Sequence, residues 1–434
     1  MKKISRFIHV LNDTCLWNAI EKRTIILDRE LVNYVKENKG KEDIKNIPSV
    51  LEEYNVVTTL EEEKALIDSL KQQTTDSQFQ GLYLITSTSC NLDCDYCFYR
   101  CSVSGSLKEK NLMTENIARK AIDGFKDIVK NNKTYDGYWQ QITLYGGEPM
   151  TNKPLLKQII PYIHNKFNDK YTDIVINTNL TLLDDEMIEV LEDNNVIVQV
   201  SLDGSKEIHD THRKFIDGSG SYDIVMRNAK KLVDNGVTVI PLITATDANV
   251  DNFANVVYDI LEQLGTEQFY SNVIISGTFD VSDDYFNKLA KAMVELYEKI
   301  LSKTGDCDFA QLCESILGNN RVISKQTCGG TRKITVFPNG SVYACQALQK
   351  LDINSMGTID SDYSNHPNYD LWRKRNRFNN EECLDCHIVG SCGGGCATGS
   401  YNSTGSIYGV DHNQCEYNKA LYRVLTNKGK NDRV

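Results

Sequence analysis

The residues with the most evident chemistry in this 434-residue chain are Cys90, Cys94 and Cys97, a C-x3-C-x2-C run with Tyr96 just before the third thiol. The run follows the apolar stretch 82–85, which places the thiols on a loop at the end of a strand. Thiolates select zinc or iron–sulfur clusters. A structural zinc site takes four protein ligands, and the nearest further thiol is Cys101, in a loop-like stretch. A four-iron cluster held by three thiolates instead leaves one iron open to a substrate or cofactor. The loop is thus either a structural zinc site or a redox centre with a vacant coordination position.

The remaining cysteines bear on that choice. Of fourteen in the chain, Cys15 stands alone, four lie between 90 and 101, and nine between 307 and 415. Met1–Arg6 lacks the apolar core of a signal peptide and no apolar run approaches the length of a membrane span, so a cytoplasmic protein is expected. Disulfides are rare in that compartment, and clustered cysteines there read as metal ligands or catalytic groups. Two metal-binding regions flanking a cysteine-free body follow. A net charge of −11 argues against a nucleic-acid partner, and no membrane partner is expected. In the second region come Cys328, Cys345, Cys383, Cys386, Cys392, Cys396 and Cys415, with glycines crowded among them. Zinc ribbons use two C-x2-C pairs, and only Cys383/Cys386 forms one.

The body between the cysteine regions must position the first loop. Apolar runs at 82–85, 141–145, 174–176, 196–201, 237–243 and 270–275 alternate with amphipathic helical stretches at 115–129, 155–167, 184–193, 222–235 and 250–264. Strand–helix alternation implies an α/β fold with a parallel sheet, and six repeats fit a partial (β/α)6 TIM-like barrel. Functional residues then belong at the C-terminal ends of the strands, where the sequence turns polar or glycine-rich. Gly146-Gly147-Glu148 follows the second run, with glycines that admit close backbone approach and a carboxylate suited to an ammonium group. Asn177 and Thr178 follow the third. Ser201 and Asp203 follow the fourth, with groups suited to sugar hydroxyls, and Arg213 downstream offers a guanidinium to a carboxylate.

Residues 1–80 form a separate unit. Strands are expected at 7–11 and 24–27, a helix opening at Asp28 with Leu31, Val32 and Val35 on one face, a helical turn at 49–54 and an extended closing stretch at 55–60. This order describes a small winged-helix-like module. A helical connector over 60–73 and a linker lead into the barrel. The domain limits expected are therefore 1–80, 81–300 and 301–434.

The spacing of Cys90, Cys94 and Cys97 with Tyr96, the Gly146-Gly147-Glu148 segment, and Ser201-x-Asp203-Gly204 followed by His209-Asp210-x-x-Arg213 together resemble the radical S-adenosylmethionine (SAM) superfamily. The cysteine pattern from Cys328 to Cys415 resembles the SPASM extension of its maturases. The resemblance spans about 81–420. It implies one [4Fe–4S] cluster on Cys90, Cys94 and Cys97 that reductively cleaves SAM, and two auxiliary [4Fe–4S] clusters. Cys383, Cys386, Cys392 and Cys415 would hold one auxiliary cluster; Cys328, Cys345 and Cys396 would hold the other, with Cys313, Cys307 or an open position as its fourth ligand. Tyr96 would pack near adenine, Glu148 would hold the SAM amino group and Arg213 its carboxylate. The N-terminal unit is similar to leader-peptide recognition domains, which add a peptide strand to a sheet edge; the plainer expectation is a packing cap on the barrel. The implied activity is oxidative cross-linking of a ribosomally made precursor peptide, through a thioether or C–C bond, with a flavodoxin or ferredoxin as electron donor. Sulfatase maturases of this family carry an aspartate after the cysteine that ends a G-x4-C segment; here that residue is Gln346, an amide, which disfavours sulfatase maturation. Maturation of a residue in a folded protein, and an iron–sulfur electron carrier or redox sensor, are the alternatives.

Overall fold

The computed structural model describes residues 1–75, 78–101, 111–130, 139–167, 171–304, 323–324 and 328–431. In the N-terminal unit, β2 (Ile8–Asn12), β3 (Cys15–Asn18) and β4 (Arg23–Ile26) form an antiparallel meander. β1 (Lys2–Ile4) pairs with β5 (Val57–Thr59) in a separate two-stranded ribbon. The closing strand expected from the sequence thus pairs with β1 and not with the meander. β1, at three residues with two lysines, is too short and charged to carry a strand pattern. Helix α1 (Arg29–Asn38) starts where Asp28 accepts a hydrogen bond from the Leu31 amide. The short helix α2 (Ser49–Glu53) follows, and helix α3 (Leu60–Thr74) opens with a reciprocal capping box between Thr59 and Glu62.

Side chains alternate faces along a strand, and β3 uses this to serve two cores. Leu16 turns inward to join Ile8, Ile25, Val32, Val35 and Leu51. Its neighbour Trp17 turns outward and packs, with Phe7 and Ile20, against Phe378, Leu384, Ile388 and Tyr422. The Trp17 indole donates to the His387 carbonyl at 2.7 Å, and Arg6 reaches Asp385 and Glu381 at 3.0 and 2.8 Å. The unit therefore caps the Cys383–Cys392 stretch of the cysteine-rich region, where the sequence had suggested a cap on the barrel.

The central sheet contains the strands expected from the alternation: β6 (Gly81–Ser87), β7 (Gln140–Gly146), β8 (Thr172–Thr178), β9 (Ile197–Ser201), β10 (Val239–Thr244) and β11 (Tyr270–Asn272). They are parallel and neighbour one another in sequence order, the arrangement of a partial (β/α) barrel. β10 tolerates Pro241, which has no N–H for a ladder, because pairing with β11 begins only at Leu242. Amphipathic helices cover the sheet. Glu115–Val129 is typical, burying Ala118, Ala121, Ile122, Phe125 and Val129 at helical spacing.

The alternation read from the sequence stops near 281, yet the sheet does not. β12 (Lys333–Val336) adds to β6 in parallel, and β13 (Ser341–Tyr343) and β14 (Ser355–Thr358) follow antiparallel, giving nine strands. The cysteine-rich region is thereby joined to the barrel by backbone hydrogen bonds next to the strand that precedes the Cys90 loop. The final helix, His412–Asn431, packs through Ala420, Leu421 and Leu425 on Ala290 and Val294 of the helix Tyr285–Thr304. Among the described residues no helix is long and apolar enough to cross a membrane.

Docking of the N-terminal unit is close enough that a Cβ added at Gly390 would lie 2.2 Å from the Ala19 carbonyl oxygen. Gly390→Ala should therefore cost about 1–3 kcal/mol in urea unfolding, the usual range for overpacking. An unchanged midpoint would mean that the two regions do not meet in solution.

Candidate active site

The Cys90–Cys97 loop leaves the C-terminal end of β6 and is pinned from two sides. The Asp93 amide donates to the Lys214 carbonyl at 2.7 Å, and Leu92 bridges to Phe215. On the other side Asn91 donates to Thr181 at 2.7 Å and accepts from Asn179 at 3.0 Å. All three thiols are half-buried and none is in a disulfide. Burial, followed by the Glu148 carboxylate, pushes Cys90 up to about 12, and burial pushes Cys94 up to about 11. So packed, Cys90 and Cys94 favour the protonated form; a cationic metal centre is what makes such groups thiolates. Among the described residues no three thiols, imidazoles or carboxylates converge tightly enough to hold a single metal ion. A polynuclear cluster binds one thiolate per iron and so accepts a wider set.

Gly146 ends β7, and Gly147 and Glu148 follow it beside the cysteine loop. Gly146 has φ +153°, and a Cβ there would sit 2.1 Å from the Ser87 carbonyl oxygen, so no other residue fits. The Gly147 amide donates to that same oxygen and the Glu148 amide to Ser89, at 3.0 and 2.8 Å. The Glu148 side chain is buried, yet well served. One oxygen accepts from the Met150 amide and the Thr178 hydroxyl, the other from the Asn179 amide. Burial outweighs these donors and raises its pKa to about 7. A carboxylate has about four acceptor positions; three are taken here and one is left for a cation. Thr178, read from the sequence as a ligand contact, thus positions Glu148. Asn177 presents a buried carbonyl oxygen with no hydrogen-bond partner among the described residues, an acceptor suited to a ligand.

Asp203, after β9, is buried at 1% exposure and accepts from the Tyr96 hydroxyl, from Arg213 Nε and Nη2 at 2.7 and 3.2 Å, and from the Thr244 amide at 2.9 Å. Burial works against its charge, but Arg213 beside it holds the carboxyl below its ordinary value. Its four acceptor positions are all engaged within the protein. The sugar-hydroxyl role read from the sequence is therefore corrected: Asp203 fixes Tyr96 and Arg213. The Arg213 guanidinium also stands 5.3 Å from the centre of the Tyr96 ring. Ser201 ends β9 half-buried, outside this network of hydrogen bonds.

Four residues to which the sequence reading gave no individual role join the site: Asp95, His212, His209 and Asn179. Asp95, within the cysteine run, accepts from His212 at 2.9 Å, and the His212 ring lies 5.4 Å from Tyr96. His209 is fully buried, held neutral by that burial with its pKa lowered to about 4, and bonds Ser221 at 2.9 Å. Asn179 joins the cysteine loop to Glu148. The H-D-x-x-R stretch carried the signal for the histidines, which polar strand ends do not reveal until the chain is folded.

In the cysteine-rich region the thiols fall into two groups by mutual electrostatic influence. Cys383, Cys386, Cys392 and Cys415 act on one another, as do Cys328, Cys345 and Cys396. Sulfurs in both groups meet polar groups: Asn418 donates to Cys392 at 3.4 Å, and the Ala347 amide to Cys345 at 3.5 Å. Cys313 and Cys307 lie outside the described residues. The donor set of three thiols beside a carboxylate with one acceptor position left, an amide oxygen unpartnered among the described residues and a fixed guanidinium fits an iron–sulfur cluster with a charged, amino-acid-bearing ligand.

Residues 84–257 match the model of the Radical SAM superfamily. The chain is 24% identical to a radical SAM cyclopropyl synthase, TigE, of Paramaledivibacter caminithermalis, over 99% of this chain and 96% of that protein. It is also 24% identical to a cysteine-type anaerobic sulfatase-maturating enzyme of Clostridium novyi, over 71% of this chain and 85% of the other. Among solved structures, Streptococcus suis SuiB bound to its precursor peptide SuiA aligns with a TM-score of 0.56 at 16% identity, covering 96% of this chain and 100% of that one.

Removing one partner of a buried ion pair leaves an uncompensated charge and costs about 3–5 kcal/mol. Arg213→Met should destabilise the chain by about that much in chemical unfolding, and adding Asp203→Asn should restore most of it. Equal losses in the single and double variants would show that the pair is not buried together.

Proposed function

We propose that this chain, a radical SAM enzyme by its domain at 84–257, oxidatively modifies a ribosomally made precursor peptide, forming a cross-link through a thioether or, preferentially, a C–C bond. The observation that carries this reading is the N-terminal unit: a meander with an open edge at β4, docked beside the auxiliary cysteines. Ile26 on that edge is 76% exposed. An unpaired edge offers backbone donors and acceptors to an incoming strand, and an exposed apolar side chain gives it a grip. Support comes from similarity over nearly the whole chain to an enzyme named for making cyclopropyl groups, and from the likeness in fold to SuiB with its precursor peptide.

Cys90, Cys94 and Cys97 would hold the catalytic cluster, and the two further thiol groups the auxiliary clusters. When bound, the catalytic cluster and SAM supply a carbon radical that removes a hydrogen atom, and the auxiliary clusters an electron acceptor. The protein's own residues do the rest. Glu148, with one acceptor position left, takes the ammonium of SAM, and Arg213 offers Nη1, the arm Asp203 does not engage, to its carboxylate. The Tyr96 ring, fixed through its hydroxyl, gives adenine a flat wall. Gly146 and Gly147 keep the backbone close to the ligand, and Asn177 and Ser201 give it polar contacts. The barrel excludes water and stray hydrogen donors. A cross-link removes two hydrogens from the peptide: one leaves as an atom, the other as a proton with its electron passing to the protein.

The similarity to sulfatase-maturating enzymes favours a second reading, oxidation of one residue in a folded protein. Gln346 distinguishes the two, since an amide in that place cannot take a proton. Mass spectrometry decides between them. The reconstituted enzyme, kept without oxygen and given SAM, a strong reductant and the short peptide encoded beside its gene, should lower the peptide's mass by about two hydrogens. A peptide of unchanged mass, with SAM consumed, would contradict the peptide reading and favour a protein substrate.

A further inference from the structure

Two arginines in the cysteine-rich region are deeply buried without a salt bridge among the described residues. Arg375 and Arg377 are 7% and 4% exposed. Each spends Nε and Nη2 on backbone oxygens: Arg375 on Ile407 and Gly395 at 2.8 and 2.6 Å, Arg377 on Val389 and Ser324 at 2.7 and 2.6 Å. Arg375 Nη2 also reaches the Ser400 hydroxyl at 3.2 Å. In each, Nη1 is buried with no hydrogen-bond partner among the described residues. No carboxylate there forms a salt bridge with either. A buried charge without a counter-charge costs several kcal/mol, so two in one short segment need an anion to face.

The anionic groups beside them are the auxiliary thiol groups and the Asp411 carboxylate, which makes no salt bridge with either arginine among the described residues. Arg375 and Arg377 line one cavity of about 60 Å³ together with Cys383, Cys392 and Cys415. Arg375 is held against the second group, donating to the carbonyl of Gly395, the residue before Cys396, and to Ser400 in the turn that follows. Arg377 stands with Cys383 and Cys392 in the cavity lining. Each guanidinium thus belongs to a different cysteine group, although only Asn376 separates them. Asn376 is itself fixed by the end of α3, donating to the Thr74 hydroxyl at 2.9 Å.

We propose that Arg375 and Arg377 are dedicated counter-cations of the two auxiliary clusters, Arg375 for the group of Cys328, Cys345 and Cys396 and Arg377 for the group of Cys383, Cys386, Cys392 and Cys415, and that they raise the reduction potential of each. A four-iron cluster on thiolates is net anionic and gains one further negative charge when reduced by one electron. A fixed cation at close range in a low-dielectric setting stabilises the reduced form more than the oxidised one. The two arginines therefore make the auxiliary clusters competent to accept the electron that substrate oxidation releases. They are positioning residues that act through the clusters and touch no substrate.

This inference rests on the cluster assignment above, but not on the identity of the substrate. Its test is a redox titration followed by electron paramagnetic resonance, on the full-length chain reconstituted without oxygen and with no peptide present. Signals are assigned with Cys345→Ala and Cys383→Ala. Arg377→Gln should make the Cys383 cluster about tenfold harder to reduce, ~59 mV for one electron, and leave the other clusters where they were. Arg375→Gln should do the same to the Cys345 cluster alone. Arg→Lys at either position should recover most of the shift, because it keeps the charge while losing the planar fork. Unchanged potentials with full iron content would overturn the proposal, as would iron loss in the Gln and Lys variants alike, which would mark a purely structural role. Failure of the peptide reading leaves these outcomes legible, whereas a wild-type chain that takes up no iron would overturn the cluster assignment itself.

Discussion

The buried carboxylate of Asp203 ties four parts of the barrel mouth together. It receives the hydroxyl of Tyr96 from the cysteine loop, the guanidinium of Arg213, and the amide of Thr244 at the end of β10, while its own backbone continues from β9. Charge at such depth is tolerated only when every lone pair is met. That requirement fixes the loop, the arginine and the two strand ends relative to one another. Without it the Cys90–Cys97 loop would lose the tie through Tyr96 and keep Asn91, the Asp95–His212 bond and backbone bonds to 214–215. The same carboxylate fixes the aromatic wall and the cation that a charged cofactor would meet.

Glu148 performs the companion task on the other side of the loop, joining the turn after β7 to the end of β8. The two carboxylates differ in a way that their surroundings explain. Asp203 has a guanidinium beside it and is held ionised. Glu148 has neutral donors only, and its pKa rises to about 7. A group so poised gains most from an added positive charge, which is the property expected of a site for an ammonium ligand.

Much of this was legible in the sequence. Short apolar runs and a 3.6-residue period placed all six parallel strands and most of the helices, because both faces of the sheet are buried and leave unbroken apolar runs. The glycine and carboxylate positions at strand ends were readable because parallel barrels gather them at one end. The N-terminal unit was harder. β3 carries Leu16 and Trp17 into opposite cores, so its pattern looks like none, and β1 is too short to show one. Addition of β12 to β6 was also hidden, since long-range pairing leaves no local mark. The roles of single side chains were the least accessible: Asp203 turned from a presumed ligand contact into an internal brace, and the Arg375 and Arg377 pair had no motif to announce it.

The arrangement amounts to one thiol loop braced by carboxylates at the barrel mouth, a sheet that runs from that mouth into a region with two further thiol groups, and an N-terminal unit seated on the latter. Its central claim is that the loop on Cys90, Cys94 and Cys97 holds the centre that breaks SAM. The most direct test is chromatographic quantitation of 5′-deoxyadenosine from the reconstituted chain with SAM and a strong reductant, without oxygen. The account predicts release by the wild-type chain and by a variant with Cys383 and Cys345 replaced, and none from Cys94→Ala. Release that survives in Cys94→Ala, or none from the wild-type chain with its iron in place, would contradict it.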